Sequence, residues 1–243
     1  MTPRPVSAWT RAAVATVWLS PRRVRPVDGP ALRRRPSIAT WIDRQSLTQR
    51  EDLDRRVLTQ ALRGDRVVVL GTRAAWTRVR LPAQRGSRFP NGIVGWVPSR
   101  QLSRTSVGAG SPTSSYDHPD GGVALRLARE YLGVRYLWGG MSRQGIDCSG
   151  LTYQLFRRLG RTLPRDAADQ ARLGRPVARR HLQAGDLVFF GPGGRRTIHH
   201  VGIYAGAGLV LHAPHTGSRV QLTPLSSWSD YWGARRYLPA PPA

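Results

Sequence analysis

The sequence of 243 residues contains no lysine and a single cysteine, Cys148. One cysteine excludes an internal disulfide framework and any zinc site that needs paired cysteines. The apolar runs fall far short of the ~20 residues that a membrane-spanning helix requires, so the sequence predicts no membrane span. Acidic residues are also scarce, because 14 Asp and Glu stand against 38 basic residues, giving a formal net charge of +24.

This net charge raises the question of nucleic acid binding. Proteins that bind DNA or RNA concentrate their basic residues on one face or along a groove. Here the arginines are spread along the whole chain, and no zinc-finger, helix-turn-helix or RNA-reading motif accompanies them. An arginine-only composition rich in Ala, Gly, Pro and Val is typical of GC-rich codon usage. We therefore predict no specific nucleic acid partner, although the charge leaves a non-specific polyanionic neighbour open.

The first apolar stretch, residues 12–19, has about the length of a signal-peptide core. However, Arg11 interrupts its entry, and no small-x-small cleavage site closes it. The alternation of Val14, Thr16 and Trp18 with their neighbours is more typical of a strand. We therefore expect a folded segment and a cytoplasmic protein, with export to the cell wall left open.

Residues 1–105 are predicted to form a small all-β barrel domain. Short β-type runs at 66–70, 76–81 and from 96 onward are punctuated by glycine and proline, whereas residues 38–63 have a more helical pattern. The run GWVPSRQL at 95–102 resembles the closing strand of bacterial SH3-type domains that occur beside cell-wall enzymes. Residues 106–120 are rich in Ser, Thr, Gly, Pro and Asp, which is typical of a linker.

Residues 121–243 are predicted to form an α+β domain. Apolar residues recur with helical spacing over 123–132, and a second helix is expected over 150–159, where Gly160 ends it. Strands are expected at 186–190, 200–204 and 209–212. Helices followed by strands in one stretch of this length favour the α+β class.

Cys148 lies directly before the apolar spacing of the second predicted helix. A thiol in the first helical turn meets the positive end of the helix dipole and unpaired backbone N–H groups, both of which favour thiolate. Asp147 is placed to cap this helix, and the same N–H groups are able to stabilise an oxyanion. The alternative at this point is a small buried hydrophobic residue, the usual role of a lone cysteine.

Two histidines, His200 and His212, fall on a predicted β-hairpin around the AGAG turn at 205–208. If a three-residue loop joins Tyr204 to Gly208, the two histidines lie directly opposite each other on neighbouring strands. If the strand pairing is shifted by two residues, both histidines still lie on the same face of the sheet. Neighbouring imidazoles suit a general base and the residue that orients it. Cross-strand packing is the alternative. His199 points to the other face, so a zinc site that uses both neighbours is not expected.

Five motifs together resemble the NlpC-type cell-wall cysteine peptidases, a family also named for the p-sixty protein. They occur in the family order, with His212 twelve residues after His200: YLWGG at 136–140, DCSGL at 147–151, GDLVFF at 185–190, HVGIY at 200–204 and LHA at 211–213. The resemblance covers residues ~121–238. It implies a circularly permuted papain-like domain, here preceded by the SH3-type barrel.

The resemblance implies a role for each matching residue. Cys148 is expected to be the nucleophile, His200 the general base and His212 the third polar residue. Tyr136 is expected beside the oxyanion position, with Asp147 and Ser149 contacting substrate. Arg165 and Gln170 match the segment after the catalytic helix, where a solvated helix face is the alternative. No metal and no organic cofactor are expected.

With an SH3-type domain in front, the chain resembles the subgroup that cleaves γ-D-glutamyl–diamino acid bonds, with meso-diaminopimelate or L-Lys, in peptidoglycan peptides. In that subgroup an acidic side chain of the first domain helps hold a free N-terminal amine. Asp65 is the candidate here, and Glu51 and Asp54 compete with it. We expect a monomer that acts on muropeptides for cell-wall turnover or recycling. The alternatives are an amide or ester acyltransferase with the same Cys-His-His site and a non-catalytic wall- or polyanion-binding protein.

Overall fold

The computed structural model describes residues 6–108, 116, 119–193 and 197–239. By packing, the chain divides into two units. Unit 1 comprises Met1–Pro112 and Leu137–Gly145, and unit 2 comprises Thr113–Tyr136 and Ile146–Ala243. The domain limits expected from the sequence stay a prediction, because these units are defined by packing alone.

Unit 1 is built on one antiparallel sheet with the strand order β3-β2-β6-β5-β4-β1-β7. Its strands are β1 (Val6–Thr10), β2 (Val14–Trp18), β3 (Val57–Leu62), β4 (Arg66–Arg73), β5 (Trp76–Leu81), β6 (Ile93–Pro98) and β7 (Leu102–Ser103). The all-β prediction is confirmed. Within the described residues the sheet stays open, with β3 and β7 at its edges, and does not close into a barrel.

Three short helices connect β2 to β3: α1 (Gly29–Leu32), α2 (Ile38–Arg44) and α3 (Leu47–Glu51). The helical prediction for residues 38–63 is therefore right only up to Glu51. Ser37 and Ser46 cap α2 and α3 through side-chain oxygens that accept backbone N–H groups, which explains where these helices begin. Beyond them, Val57–Leu62 pairs along its length with β2 and therefore forms a strand.

The core of unit 1 contains a buried polar anchor. The indole N–H of Trp41 donates to Asp28 Oδ1 at 2.8 Å, and Arg56 Nη1 lies 2.6 Å from Asp28 Oδ2. All three residues are buried, so both carboxylate oxygens are satisfied away from water. This anchor fixes the helical connection against β3, where Arg56 immediately precedes the strand.

The segment Leu137–Gly145 packs within unit 1. Leu137 is buried in the cluster around Trp41. The indole N–H of Trp138 donates to the carbonyl of Val57 at 3.1 Å, and the N–H of Met141 donates to Gln60 Oε1 at 3.0 Å. A short strand, β8 (Met141–Ser142), forms here and pairs with β9 (Gly145–Ile146).

Unit 2 is an α+β unit, as predicted. Its helices are α4 (Gly121–Arg129), α5 (Cys148–Arg158) and α6 (Ala167–Gln170), and its strands are β10 (Arg175–Val177), β11 (Leu187–Phe190), β12 (His200–Gly206), β13 (Leu209–His212), β14 (Gln221–Pro224) and β15 (Tyr231–Arg236). The sheet has the order β10-β15-β11-β12-β13-β14. The strands predicted at 186–190, 200–204 and 209–212 are thereby confirmed.

Helix α5 packs against the sheet through its apolar stripe. Leu151, Leu155 and Phe156 are fully buried in the same cluster as Val201 and Ile203 of β12. This packing sets the beginning of α5 against the beginning of β12. No helix in the described ranges combines the length and apolar character that crossing a membrane requires.

The hairpin β12–β13 closes with a two-residue turn. Ala207 and Gly208 both have positive φ angles, 48° and 73°, as a type I′ turn requires. Tyr204 pairs with Val210, whereas Gly206 pairs with Leu209, so β12 carries one extra residue beside the turn. The three-residue loop expected from the sequence is therefore wrong, and the register is shifted by two.

Replacing Ala207 by asparagine is expected to stabilise the protein by about 0.5–1 kcal/mol, because asparagine tolerates the left-handed conformation better than alanine. Urea unfolding followed by circular dichroism measures the change. The same substitution at Ala205, which lies within strand β12, is the control and is expected to lower stability. A loss of stability in Ala207→Asn equal to that of the control would contradict the turn assignment.

Candidate active site

Cys148 is the first residue of helix α5, where the sequence predicts it. The carboxylate of Asp147, the residue before it, accepts the N–H of Gly150 at 2.6 Å, and the carbonyl of Asp147 accepts the N–H of Leu151 at 2.9 Å. These bonds leave the N–H groups of Cys148 and Ser149 without an intrahelical partner. The thiol therefore lies at the positive end of the helix, beside two donors.

Burial dominates the electrostatics of the Cys148 thiol. Loss of hydration, followed by the negative charge of Asp147, raises the pKa of this thiol to about 12. The backbone N–H groups of Val201 and Ser149 and the guanidinium of Arg165 oppose the rise. The expectation of a thiolate at the helix start is therefore wrong for the resting protein, because desolvation outweighs the helix-end donors. At neutral pH the thiol is protonated.

The two histidines form a buried hydrogen-bonded pair. His200 Nε2 lies 2.9 Å from His212 Nδ1, and His212 Nε2 lies 2.9 Å from Thr223 Oγ1 on β14. His200 and His212 are only 4% and 2% exposed. Because the pair occupies Nε2 of His200, its Nδ1 is the nitrogen left for proton transfer. That nitrogen accepts a proton when His200 donates to His212 and His212 donates to Thr223.

The strand register explains how the imidazoles meet. Ile203 lies opposite Leu211, so Gly202 occupies the position opposite His212 and His200 lies diagonally, two residues away. Direct opposition of the histidines, as predicted, is wrong, but a shift of two residues keeps both on one face. A Cβ on Gly202 would lie 3.1 Å from the Cβ of His212. The glycine therefore leaves room for the diagonal contact.

Trp228 covers the histidine pair. Its ring stacks on His200 with centroids 5.2 Å apart and an interplanar angle of 13°, and it meets His212 edge-on at 5.0 Å. Phe190, on the neighbouring strand β11, stacks on Trp228 at 4.0 Å. The imidazoles are thus enclosed by aromatic rings on the side of Trp228.

This enclosure keeps the histidines neutral. Burial lowers the pKa of His200 to about 3, with a further contribution from the neighbouring His212. Burial likewise lowers the pKa of His212 to about 4. A buried imidazolium loses hydration without gaining a carboxylate partner, so the neutral ring is favoured. The resting site therefore combines a protonated thiol with a neutral base.

Asp147 also forms a buried ion pair with Arg165. Arg165 Nη2 lies 2.5 Å from Asp147 Oδ2, and Arg165 Nη1 donates to Asp147 Oδ1 at 3.1 Å and to Ser149 Oγ at 2.9 Å. This bidentate contact satisfies the carboxylate that caps α5. It fixes both residues that flank Cys148.

Gln170 completes the network from helix α6. Its Nε2 donates to the carbonyl oxygens of Ser149 and Pro164, at 3.1 and 2.9 Å, and its Oε1 accepts the hydroxyl of Thr152 at 2.7 Å. Arg165 and Gln170 are both buried, so they do not lie on a solvated helix face. Their hydrogen bonds tie the segment after α5 to its first turn.

Tyr136 and Asp65, the other two predicted site residues, belong to different units. Tyr136 is buried in unit 2, where it forms a parallel β-bridge with Ile146, two residues before Cys148. Asp65 belongs to unit 1, where its carboxylate accepts the N–H of Leu62 at 2.8 Å in the turn between β3 and β4. Their contacts with substrate stay predictions.

Trp228 and Thr223 are the site residues that sequence reasoning missed. Trp228 follows a single turn of 3-10 helix, and Thr223 lies on a strand that was not predicted. A tryptophan or threonine in such surroundings carries no local signal, because its partner is set by strand pairing. In the described part of the chain, no group of three or more His, Cys, Asp or Glu side chains is arranged to hold a metal ion.

Comparison with known proteins places this geometry in a family. The model of the NlpC/P60 family matches residues 133–237. A gamma-D-glutamyl-L-lysine dipeptidyl-peptidase of Bacillus subtilis is 31% identical over 273 residues, which cover 88% of this chain and 92% of the relative. Murein DD-endopeptidase MepH of Escherichia coli is 42% identical over 125 residues, covering 48% of this chain and 45% of the relative.

A solved structure agrees along nearly the whole chain. The crystal structure of an NlpC/P60 family protein from Bacillus cereus superposes with a TM-score of 0.87 at 26% identity, covering 96% of this chain and 100% of that one. The similarity to the Bacillus subtilis peptidase likewise extends well beyond the 133–237 stretch. On these similarities, the chain belongs to the NlpC/P60 family.

Proposed function

We propose that this protein is a cysteine peptidase that hydrolyses γ-D-glutamyl–diamino acid bonds in peptidoglycan-derived peptides. The observation that carries the proposal is the thiol at the start of α5 together with the buried chain from His200 through His212 to Thr223. The choice of bond is supported by the relative named a gamma-D-glutamyl-L-lysine dipeptidyl-peptidase, which matches 88% of this chain. One chain supplies the three catalytic residues, so we propose that it acts as a monomer.

In the first step the sulfur of Cys148 attacks the carbonyl carbon of the γ-glutamyl bond. Because the resting thiol is protonated, its proton passes to His200 as the S–C bond forms. The carbonyl oxygen becomes an oxyanion, which the N–H of Cys148 at the open end of α5 is placed to stabilise. Tyr136 is the second candidate donor. His212 and Thr223 hold the ring of His200 in the accepting tautomer.

In the second step the C–N bond breaks, and His200 returns the proton to the leaving amine of the diamino acid. This leaves a thioester between Cys148 and the γ-carbonyl group. Water then attacks the thioester as His200 accepts a proton from it, the C–O bond forms, and the S–C bond breaks. The proton returns to sulfur, so the resting site is restored.

Replacing Cys148 by alanine is expected to lower kcat at least about a thousandfold, because no other described group replaces the nucleophile. The variant is expected to stay folded, with a stability loss of no more than about 2 kcal/mol for the lost buried sulfur. Release of the diamino acid measures turnover, and thermal unfolding is the control. Residual hydrolysis near the wild-type rate would contradict covalent catalysis by Cys148.

Hydrolysis of L-Ala-γ-D-Glu-diaminopimelate, compared with its N-acetylated form, tests the substrate class. We expect kcat/KM to be at least tenfold higher for the free amine. Asp65→Asn is expected to reduce this preference, whereas Asp54→Asn and Glu51→Gln, which test the two competing candidates with the same change of charge, are expected to leave it unchanged. Thermal unfolding separates a loss of amine binding from a loss of the turn that Asp65 supports. If neither peptide is cleaved, the proposed function is wrong, whereas equal cleavage would indicate action on intact wall.

Trp228→Leu is expected to shift the acid limb of the pH–kcat/KM profile upward. The base must be neutral, so activity is lost as pH falls through the pKa of the histidine pair. Because burial lowers the pKa of His200 to about 3 and that of His212 to about 4, the wild-type limb is expected below pH 5. Leucine exposes the imidazoles and moves the limb toward about 6.5.

The matched control is Trp228→Phe, which retains an aromatic ring over His200 and is expected to keep the acid limb within about half a pH unit of the wild type. A limb near pH 6.5 in the wild type would show that the aromatic cover does not set the pKa of the pair. The same conclusion would follow if Trp228→Leu left the limb unmoved while lowering kcat.

A further inference from the structure

Four arginines surround one pocket of unit 1. The pocket has a volume of about 370 Å³ and is lined by Arg11, Arg34, Arg35 and Arg63, with two alanines and a proline completing its wall. Arg34, Arg35 and Arg63 are exposed and Arg11 is half-buried. Its volume is near the lower end of the ~300–1,000 Å³ that is usual for small-molecule sites. We call it the arginine pocket.

The backbone that carries these arginines is held in place by a buried glutamine. The carbonyl oxygen of Gln101 accepts the N–H of Arg11 at 2.8 Å. The side-chain Nε2 of the same residue donates to the carbonyl oxygens of Ala31 and Arg33, at 2.9 and 2.8 Å. Gln101 is fully buried, so it joins the start of β2 to the loop that carries Arg34 and Arg35.

The segment that carries Arg63 is joined by hydrogen bonds to the segment that carries Arg11. The N–H of Arg63 donates to the carbonyl of Ala13 at 3.2 Å, and Arg63 Nη1 donates to the carbonyl of Arg11 at 3.4 Å. Three separate stretches of chain thus converge, each fixed by hydrogen bonds. The concentration of arginines is therefore a property of the fold and not of one flexible loop.

Among the described residues, none that lines the pocket is acidic. Asp65 is close in sequence, but its carboxylate accepts the N–H of Leu62 and does not belong to the lining. Within the residues that the structure describes, none of the four guanidinium groups forms an ion pair with a carboxylate. Four like charges held around one concavity repel one another, and a bound anion would relieve that repulsion.

We propose that the arginine pocket binds a small anion that carries two or more phosphate charges, either free or as a phosphate ester. Guanidinium groups present paired N–H donors that match phosphate oxygens. Four guanidinium groups from three segments of the chain supply more N–H donors than a single carboxylate is able to accept. A second arginine-rich pocket of unit 1, formed by residues 22–25, 52, 55 and 56, includes Asp52, which pairs with Arg25 and Arg56. The high net charge of +24 therefore does not by itself produce a pocket of arginines without a carboxylate partner.

Calorimetric titration of the full chain with inorganic pyrophosphate, at constant ionic strength, tests the proposal. We expect saturable binding of one pyrophosphate per chain. The double variant Arg34→Gln/Arg35→Gln is expected to raise Kd at least tenfold. The control Arg44→Gln/Arg73→Gln removes the same charge from exposed positions of unit 1 outside the pocket and is expected to change Kd less than twofold.

Further ligands separate the sources of the phosphate group. Glucose 6-phosphate binding at least as tightly as pyrophosphate would identify a phosphate ester as the ligand, and weaker binding would identify a free anion. Succinate at the same ionic strength is expected to bind at least tenfold more weakly, because each carboxylate carries less charge and fewer acceptor oxygens than a phosphate dianion.

The proposal is wrong if pyrophosphate does not bind. It is also wrong if both double variants weaken binding equally, which would indicate a general effect of net charge, or if succinate binds as tightly as pyrophosphate. Circular dichroism of both variants confirms that the comparison is made between folded proteins. None of these measurements depends on peptidase activity, so the result is independent of the proposed function.

Discussion

The hydrogen bond between Nε2 of His200 and Nδ1 of His212 is the contact on which the chemistry of this site depends. It joins two buried rings, and each ring has only one proton when neutral. The further bond from His212 to Thr223 therefore determines which nitrogen of His200 is free. Breaking this chain would leave a buried polar nitrogen unpaired, at a cost of about 1–3 kcal/mol, besides losing the accepting tautomer.

In the proposed mechanism, the same burial determines how Cys148 is activated. A thiolate–imidazolium pair would place two charges in a region from which Trp228 and the core exclude water. The neutral forms of Cys148 and His200 avoid that cost. In that mechanism, the negative charge of the oxyanion develops beside N–H donors that are already in place at the start of α5. Asp147 contributes by capping the helix, and Arg165 compensates its charge so that the cap does not stand as an isolated anion beside the thiol.

Much of the site could be predicted because its signals are local. An aspartate directly before an apolar helical pattern indicates a helix N-cap, and this indication needs only neighbouring residues. Asp147 therefore predicts, correctly, that Cys148 lies in the first turn of α5. Because side chains alternate between the two faces of a sheet, the sequence predicts both histidines on one face, even though the predicted strand register is wrong by two residues. That error arose from the extra residue beside the Ala207–Gly208 turn, since a bulge depends on how the turn fits the twist of both strands.

What could not be predicted depends on contacts between distant parts of the chain. The stack of Trp228 on His200 joins residues that are 28 positions apart, and the thiol pKa depends on how completely the fold buries Cys148. The sequence alone suggests a thiolate, because it shows that Cys148 lies at the start of a helix but does not show that the fold removes water from the thiol. Likewise the sequence predicts helix for Val57–Leu62, because the strand character of this segment arises from its pairing with β2.

The stretch between Tyr136 and Cys148 is divided between the two units. Tyr136 and Ile146 form a β-bridge in unit 2, whereas the intervening Leu137–Gly145 packs within unit 1. Leu137 is buried there, and the N–H of Met141 is bonded to Gln60. A fragment that begins at residue 121 would expose that leucine and leave the amide without its partner. A segment defined by the sequence motifs alone would therefore separate Leu137–Gly145 from the residues of unit 1 against which it packs.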